Sequence, residues 1–173
     1  MDAFGGEIVD ALNAGVADGE KVEFHCFGSR SFGKHDRVAV TEHPFVPFDD
    51  WRGLYGRFKS FDLGVAVNPL DETDEFCKCK SELKFVETAA MGVPLITSRV
   101  PPYTEFLKEG ENGFFASMPK EFADKVLMVM RDEAMSRKVS ENAYRTVVED
   151  YDVTKNALKF LEDLDEARKK VAR

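Results

Sequence analysis

The sequence contains few residues of the kinds that define disulfide-rich, metal-binding or membrane proteins. Its 173 residues include only three cysteines and three histidines. An odd and small number of cysteines argues against a disulfide framework and favours a reducing compartment, so we expect a cytoplasmic protein. No uninterrupted apolar run approaches the roughly 20 residues that a membrane-spanning helix needs. The first residues, Met1 to Phe4, lack the basic and then apolar layout of a secretory signal.

Positive charge is scarce as well. Lys and Arg total 24 against 32 Asp and Glu, which gives a formal net charge of −8. This balance disfavours binding to a nucleic-acid polymer through its phosphates. Cys77 and Cys79 form a C-x-C spacing with no second cysteine pair, whereas zinc sites usually combine two closely spaced ligand pairs. We therefore expect no metal ion and no nucleic-acid partner.

The remaining composition, 43% hydrophobic and 32% charged, is ordinary for a globular protein, and the length suits one domain spanning residues 1–173. Hydrophobic periodicity predicts strands over 21–27, 37–42, 61–67, 93–98 and 114–116. It predicts helices over 3–16, 49–61, 82–91, 103–109, 119–131, 133–150 and 152–171, and a polar loop over 71–80. Such alternation predicts an α/β fold, a Rossmann-like parallel sheet with helices on both faces and a helical C-terminus.

Ligands of such sheets bind at the carboxyl ends of the strands. The helix predicted over 82–91 begins at this edge, with Ser81 as its N-cap. The amides of its first turn, together with Lys78, Lys80 and Lys84, would form a site for an anion, most naturally a phosphate. A solvated lysine-rich loop capped by Ser81 explains the same residues equally well.

Three further features of the sequence allow either a functional or an ordinary structural interpretation. Lys84 and Glu87 are spaced i, i+3, so they share one helical face, either towards the carboxyl edge or as a surface ion pair of little energetic value. Gly28 and His43 end two predicted strands and would lie at the same edge. An ordinary turn at Gly28 and a simple strand end at His43 are the alternatives.

Between residues 81 and 113 the sequence contains, in this order, Ser81, Lys84, Glu87, Ala89-Ala90, Gly92-Val93-Pro94, Leu95-Ile96, Glu105 and Asn112-Gly113. This order resembles the nucleotide-sugar-binding core of the GT-B glycosyltransferases, more narrowly the retaining group 1, family 4-like enzymes. That family has a glutamate, an Ala-rich helix, Gly-x-Pro, an apolar strand, a Gly-Gly loop, a second glutamate and an Asn-Gly turn. The matching residues here are Glu87, Ala89-Ala90, Gly92-Val93-Pro94, Leu95-Ile96, Glu105 and Asn112-Gly113. The resemblance extends more weakly over the whole chain.

The resemblance implies a donor-binding lobe that takes a nucleoside-diphosphate sugar and needs no cofactor. Glu87 would accept hydrogen bonds from the ribose hydroxyls, and the amides of Leu83 and Lys84 would hold the diphosphate. Lys80 or Lys84 would neutralise the charge on the departing nucleotide, with Lys84 as the catalytic candidate. The other residues assigned to the nucleotide site are Ser81, Gly28, His43 and Glu105.

The sequence departs from the family pattern at two places within the motif. Cys79 stands where the family has its first glutamate, and Pro101-Pro102 replaces the Gly-Gly loop. Lys80-Ser81, Lys84 and Glu87 together resemble a variation found in divergent members. These departures affect the expected contacts with the donor sugar more than those with the nucleotide.

The resemblance also bears on what lies outside this sequence. Family members open this lobe with a strand before the first helix, and they pair the lobe with a second one that holds the acceptor. We expect both to be absent from these 173 residues, so that the acceptor lobe comes from the rest of a longer protein or a partner chain. The alternatives are a non-catalytic interaction or regulatory domain that retains the fold, and a lobe of the sugar-nucleotide epimerase type.

Overall fold

Short parallel strands alternate with helices in the computed structural model, which describes residues 2–28, 32–61 and 63–171. The strands are β1 (Val22–Phe27), β2 (Val38–His43), β3 (Ala66–Asn68), β4 (Leu95–Thr97) and β5 (Phe114–Phe115). The helices are α1 (Asp2–Gly15), α2 (Trp51–Ser60), α3 (Glu75–Lys78), α4 (Leu83–Ala90), α5 (Pro101–Thr104), α6 (Pro119–Arg131), α7 (Glu133–Asp150) and α8 (Val153–Val171). The predicted α/β class with a helical C-terminus is confirmed. Residues 29–31 of the predicted loop after β1 lie outside the described residues.

The strands form two parallel sheets in place of the single sheet predicted. β1 pairs only with β2, in a register that sets Val22 opposite Val38. The second sheet has the order β3-β4-β5, with the fully buried β4 in the centre. Among the described residues, no hydrogen bond connects one sheet to the other.

One hydrophobic core lies beneath both sheets, and α1 and α6 cover it. The apolar stripe of α1, including Ile8 and Leu12, packs with Phe122 and Val126 of α6 and with strand residues of both sheets. Each such buried aliphatic or aromatic side chain stabilises the fold by about 1.5–3 kcal/mol. The two helices approach closely at Gly15, where a Cβ atom would lie 2.7 Å from a methyl carbon of Leu127.

A second core lies under the three-stranded sheet alone and is covered by α4, α5 and α7. Phe85 and Ala89 of α4 pack there against Leu95, Tyr103 and Phe115. The apolar positions of α4 recur at helical spacing and so turn one face to this core. This packing fixes α4 relative to the carboxyl ends of β3 and β4.

Three local predictions are wrong in their boundaries. The loop predicted over 71–80 contains α3, because the Asp74 side chain accepts a hydrogen bond from the N–H of Phe76 and caps a helical turn. α4 begins at Leu83 and its N-cap is Glu82, whose carbonyl accepts from Phe85 and Val86, so Ser81 is not the cap.

The third boundary concerns α5. This helix occupies Pro101–Thr104, whereas the sequence predicted a helix over 103–109. Proline is well suited to the first turn of a helix, because its φ angle is already helical and its missing N–H has no intrahelical partner there. The two prolines therefore start the helix earlier than hydrophobic spacing alone indicates.

The last helix, α8, extends away from both cores. All of its side chains that the structure describes are exposed, including Val153 at 82% and Phe160 at 62%. Its apolar residues thus form an uncovered stripe on this helix. Within the described residues, no helix is long and apolar enough to cross a membrane.

Candidate functional site

A buried polar cluster marks the carboxyl ends of β3 and β4. The side-chain amide of Asn68 donates to the hydroxyl oxygens of Thr97 and Tyr103, each at 3.1 Å. The Thr97 hydroxyl in turn donates to the Asn68 carbonyl at 3.0 Å. Thr97 and Tyr103 are almost completely buried, at 0% and 2% exposure. Hydrogen bonding of this kind is what allows polar groups to be buried without a large free-energy cost.

The same cluster reaches the first turn of α4. The backbone N–H of Lys84 donates a hydrogen bond to the Tyr103 hydroxyl. Burial raises the pKa of Tyr103 above its usual value, so the group stays protonated at neutral pH. The Lys84 amide, which the sequence assigned to a diphosphate, therefore already has an acceptor within the fold.

The side chains of Lys84 and Glu87 meet on α4, as their spacing predicts. Lys84 Nζ lies 2.8 Å from a carboxylate oxygen of Glu87. The Glu87 side chain is only 15% exposed, whereas that of Lys84 is 52% exposed. Tyr55 of α2 also approaches this carboxylate, and burial first, then its hydrogen bond to Glu87, raise the pKa of Tyr55. Glu87 is thus a fixed acceptor between two helices.

The neighbouring lysines have partners of their own. Lys78 Nζ lies 2.7 Å from the Glu75 carboxylate, and this hydrogen bond raises the pKa of Lys78. Lys80 Nζ lies over the Phe76 ring, 5.3 Å from its centroid. Ser81 and Leu83 are exposed beside them. The cations near the start of α4 are therefore Lys84, in its first turn and paired with Glu87, and Lys80, in the loop that precedes the helix.

Gly28 and His43 lie together at the ends of β1 and β2. The N–H of Gly28 donates to the His43 carbonyl at 3.1 Å, and Gly28 has a φ angle of +127°, which favours glycine. The His43 ring stacks on Phe27 at 4.4 Å and lies 3.0 Å from the His25 ring nitrogen. Burial, followed by the charges of His25 and Arg57, lowers the pKa of His43. His43 thus packs among aromatic rings of the two-stranded sheet.

Glu105 faces a different region of the surface. It is exposed and lines a cavity of about 280 Å³ that also includes Lys108, Asn112 and Arg145. Neither Lys84 nor Glu87 lines this cavity. The structure therefore brings together Lys84 and Glu87, whereas Glu105 lines a cavity that neither of them lines.

Sequence reasoning missed the residues that organise this edge. The predicted strand over 61–67 ends directly before Asn68, and the helix predicted over 103–109 begins at Tyr103, but neither pattern predicts the contact between these two side chains. Glu72 was assigned to a polar loop, yet its carboxylate accepts from the Arg99 N–H at 3.0 Å and from the Ser117 hydroxyl at 2.7 Å. A polar residue directly after a buried strand was the available signal for Asn68, whereas the Glu72 contact spans 45 residues and left no local signal.

The fold and this polar carboxyl edge define a Rossmann-like α/β domain with one helix opening at the ligand-binding side of its sheet. A family model described as glycosyl transferase-like matches residues 7–162. The chain belongs to this glycosyl transferase-like family. No curated protein matches the sequence significantly.

Several solved structures share the fold. HepE from Anabaena, in complex with UDP and glucose, has a TM-score of 0.68 at 17% identity, over 92% of this chain and 44% of its own. A TarM variant from S. aureus, in complex with fondaparinux, alpha-GlcNAc-glycerol and UDP, has a TM-score of 0.67 at 15% identity, over 92% of this chain and 32% of its own. A glycosyltransferase from Rickettsia africae has a TM-score of 0.64 at 15% identity, over 94% of this chain and 44% of its own.

The family model confirms the resemblance to glycosyltransferases, and these structures confirm the predicted fold. The present chain spans less than half of the length of each of these proteins. Their similarity to it therefore concerns one lobe of a larger molecule.

Proposed function

We propose that this chain is the donor-binding lobe of a glycosyltransferase that moves a sugar from a nucleoside-diphosphate sugar to a hydroxyl acceptor. The family membership and the UDP complexes of HepE and TarM support this assignment. The single observation that carries it is the Lys84–Glu87 pair, which sets an acceptor and a cation side by side on the first two turns of α4.

The two residues suit different parts of a nucleoside diphosphate. A carboxylate has two oxygens and several lone pairs, so Glu87 can accept from ribose hydroxyls while it retains its bonds from Lys84 and Tyr55. The ammonium group of Lys84 is half-exposed and has three N–H donors, so it can donate to a phosphate oxygen while it keeps its bond to Glu87. Lys80, in the loop that precedes α4, and the backbone N–H of Leu83, the first residue of α4, complete the proposed diphosphate site.

The proposed chemistry places charge at this site. Transfer breaks the bond between the anomeric carbon and the diphosphate oxygen, and the electron pair leaves with the nucleotide. The acceptor oxygen bonds to the anomeric carbon and loses its proton. Positive charge from Lys84 and Lys80 would stabilise the leaving diphosphate, so we propose Lys84 as the catalytic residue of this lobe.

Calorimetric titration of UDP, GDP and ADP tests the proposal. We expect one of them to bind the wild-type chain, and Glu87→Ala to weaken its binding by about 10-fold to 100-fold, as for the loss of hydrogen bonds to a charged group. Asp124→Ala is the matched control, because Asp124 forms a similar ion pair with Lys120 on α6. The proposal is wrong if no nucleoside diphosphate binds the wild type, or if both variants bind as the wild type does.

We further propose that transfer requires an acceptor lobe, from the same longer protein or from a partner chain, and that the protein acts in the cytoplasm. The alternative is a non-catalytic interaction domain that retains the fold. Pro101 and Pro102 favour it, because they have no N–H groups to offer a donor sugar at the start of α5. Failure of every nucleotide in the titration would favour this alternative.

A further inference from the structure

The apolar residues of α8 face solvent along the whole helix. Phe160 is 62% exposed and Leu164 is 50% exposed. Among the described residues of α8, none belongs to either hydrophobic core. A helix of 19 residues that lacks tertiary packing is only marginally stable in water. Because large exposed apolar patches on a protein usually mark interaction sites, this stripe indicates a binding surface.

The apolar residues of α8 follow the spacing of a coiled coil. Successive members of the stripe are separated alternately by four and three positions: Val153, Ala157, Phe160, Leu164 and Ala167. This alternation averages 3.5 residues, so these five residues form one narrow seam that can face a second helix. Ala157 and Leu164 occupy the a positions of the heptad, and the other three occupy the d positions. The helix that carries the seam is about 28 Å long, at a rise of 1.5 Å per residue.

Two charged residues beside the seam select the direction of a partner helix. Asp163 occupies a g position, and Arg168 occupies the e position of the next heptad. In a parallel pair of identical helices, a g residue faces the e residue of the following heptad on the other helix. Asp163 of each copy therefore faces Arg168 of the other copy. In a fully overlapping antiparallel pair, g residues face each other, so the two Asp163 carboxylates would repel.

The polar side of α8 favours a protein partner over a lipid surface. It carries the acidic residues Glu162, Asp165 and Glu166 among its lysines. Helices that lie on anionic membranes have polar faces rich in lysine and arginine instead. A second copy of this chain offers an identical seam and the complementary charge, as a two-fold symmetric interface requires.

We propose that α8 is a self-association surface, through which two copies of this chain form a parallel two-stranded coiled coil. The five seam residues of each copy would pack against those of the other, and the Asp163–Arg168 pairs would flank them. The seam is short and includes two alanines, so we expect a reversible dimer with a dissociation constant on the order of 100 µM. The proposal concerns α8 alone and does not rest on nucleotide binding.

Sedimentation equilibrium of the full chain, over about tenfold on either side of this concentration, tests the proposal. We expect the average mass to rise from that of a monomer to that of a dimer. Leu164→Glu should weaken the association at least about tenfold, because it places a charge inside the seam. Leu158→Glu is the matched control, since Leu158 is 59% exposed on the same helix but occupies a b position outside the seam. Both residues are exposed in the monomer, and circular dichroism checks that both variants keep the helix content of the wild type.

Charge reversal tests the direction of the two helices. Asp163→Arg and Arg168→Asp each place like charges opposite each other in a parallel pair, so each should weaken the association about threefold or more. The double variant restores opposite charges and should recover the affinity of the wild type. In an antiparallel pair, Arg168 would face Thr154 and neither reversal would have this effect.

Three results would overturn the proposal. The first is a monomer at every concentration. The second is an equal effect of Leu158→Glu and Leu164→Glu, which would show that the association does not use the seam. The third is an affinity that neither single charge reversal changes, which would exclude the parallel pair.

Discussion

Removing one hydroxyl from the buried polar cluster should cost measurable stability. In Tyr103→Phe the ring keeps its packing in the second core, but Asn68 and the Lys84 N–H lose an acceptor. Asn68 retains the Thr97 hydroxyl at 3.1 Å, so its loss is partial. The Lys84 N–H loses the partner that the fold provides.

The magnitude follows from burial. Tyr103 is 2% exposed, so water reaches the vacated position poorly. A buried group left without its partner costs about 1–3 kcal/mol. For a chain of this length, a loss of about 2 kcal/mol corresponds to a fall in melting temperature of about 4–8 °C.

Urea denaturation followed by circular dichroism measures this change. The midpoint should fall while the slope m is unchanged, because Phe retains the packing of the folded state. Tyr144→Phe is the control, since Tyr144 lies on α7 with 52% exposure and should change stability by less than about 0.5 kcal/mol. A Tyr103→Phe midpoint equal to that of the wild type would refute the view that this cluster holds α4 to the sheet.

Three further predictions concern other parts of the chain. The Arg131 hydrogen bond lowers the pKa of Glu20 to about 2. The ionised Glu20 carboxylate therefore stabilises the fold above pH 4.5, and this stabilisation is lost as the pH falls towards 2. Glu20→Gln should flatten this acidic part of a profile of the urea midpoint against pH. Gly28→Ala should destabilise the folded state by about 1 kcal/mol or more, because the φ angle of Gly28 is +127°. Gly56 lies inside α2 with open space around it, so Gly56→Ala should stabilise the folded state by about 0.5–1 kcal/mol in the same urea denaturation assay. Removal of residues 153–173 should lower the melting temperature by less than about 2 °C in calorimetry, since α8 is exposed along its described length, and a larger fall would show that α8 packs on the domain.

Much of the fold could be predicted from local patterns. The helices α6 and α7 match their predicted ranges of 119–131 and 133–150, because apolar residues recur at helical spacing and Asp132 separates them as a cap. The five strands were located, although β3 is shorter than its apolar run. Local periodicity carries this information because it reflects which face of an element is buried.

The arrangement of the site could be predicted only in part. The Lys84–Glu87 pair follows from helical spacing and was found. The contact between Asn68 and Tyr103 joins residues 35 positions apart, so no local pattern reports it. The separation of the strands into two sheets could not be predicted either, because a local pattern predicts a strand but not which strand pairs with it.

The Glu72 carboxylate has a consequence for how this edge responds to a ligand. Glu72 follows β3, and its two partners, Arg99 and Ser117, follow β4 and β5. Three loops that belong to three strands are thereby connected through one side chain. These loops are therefore already ordered before a molecule binds to any of them. Binding then costs less conformational entropy than binding to mobile loops would.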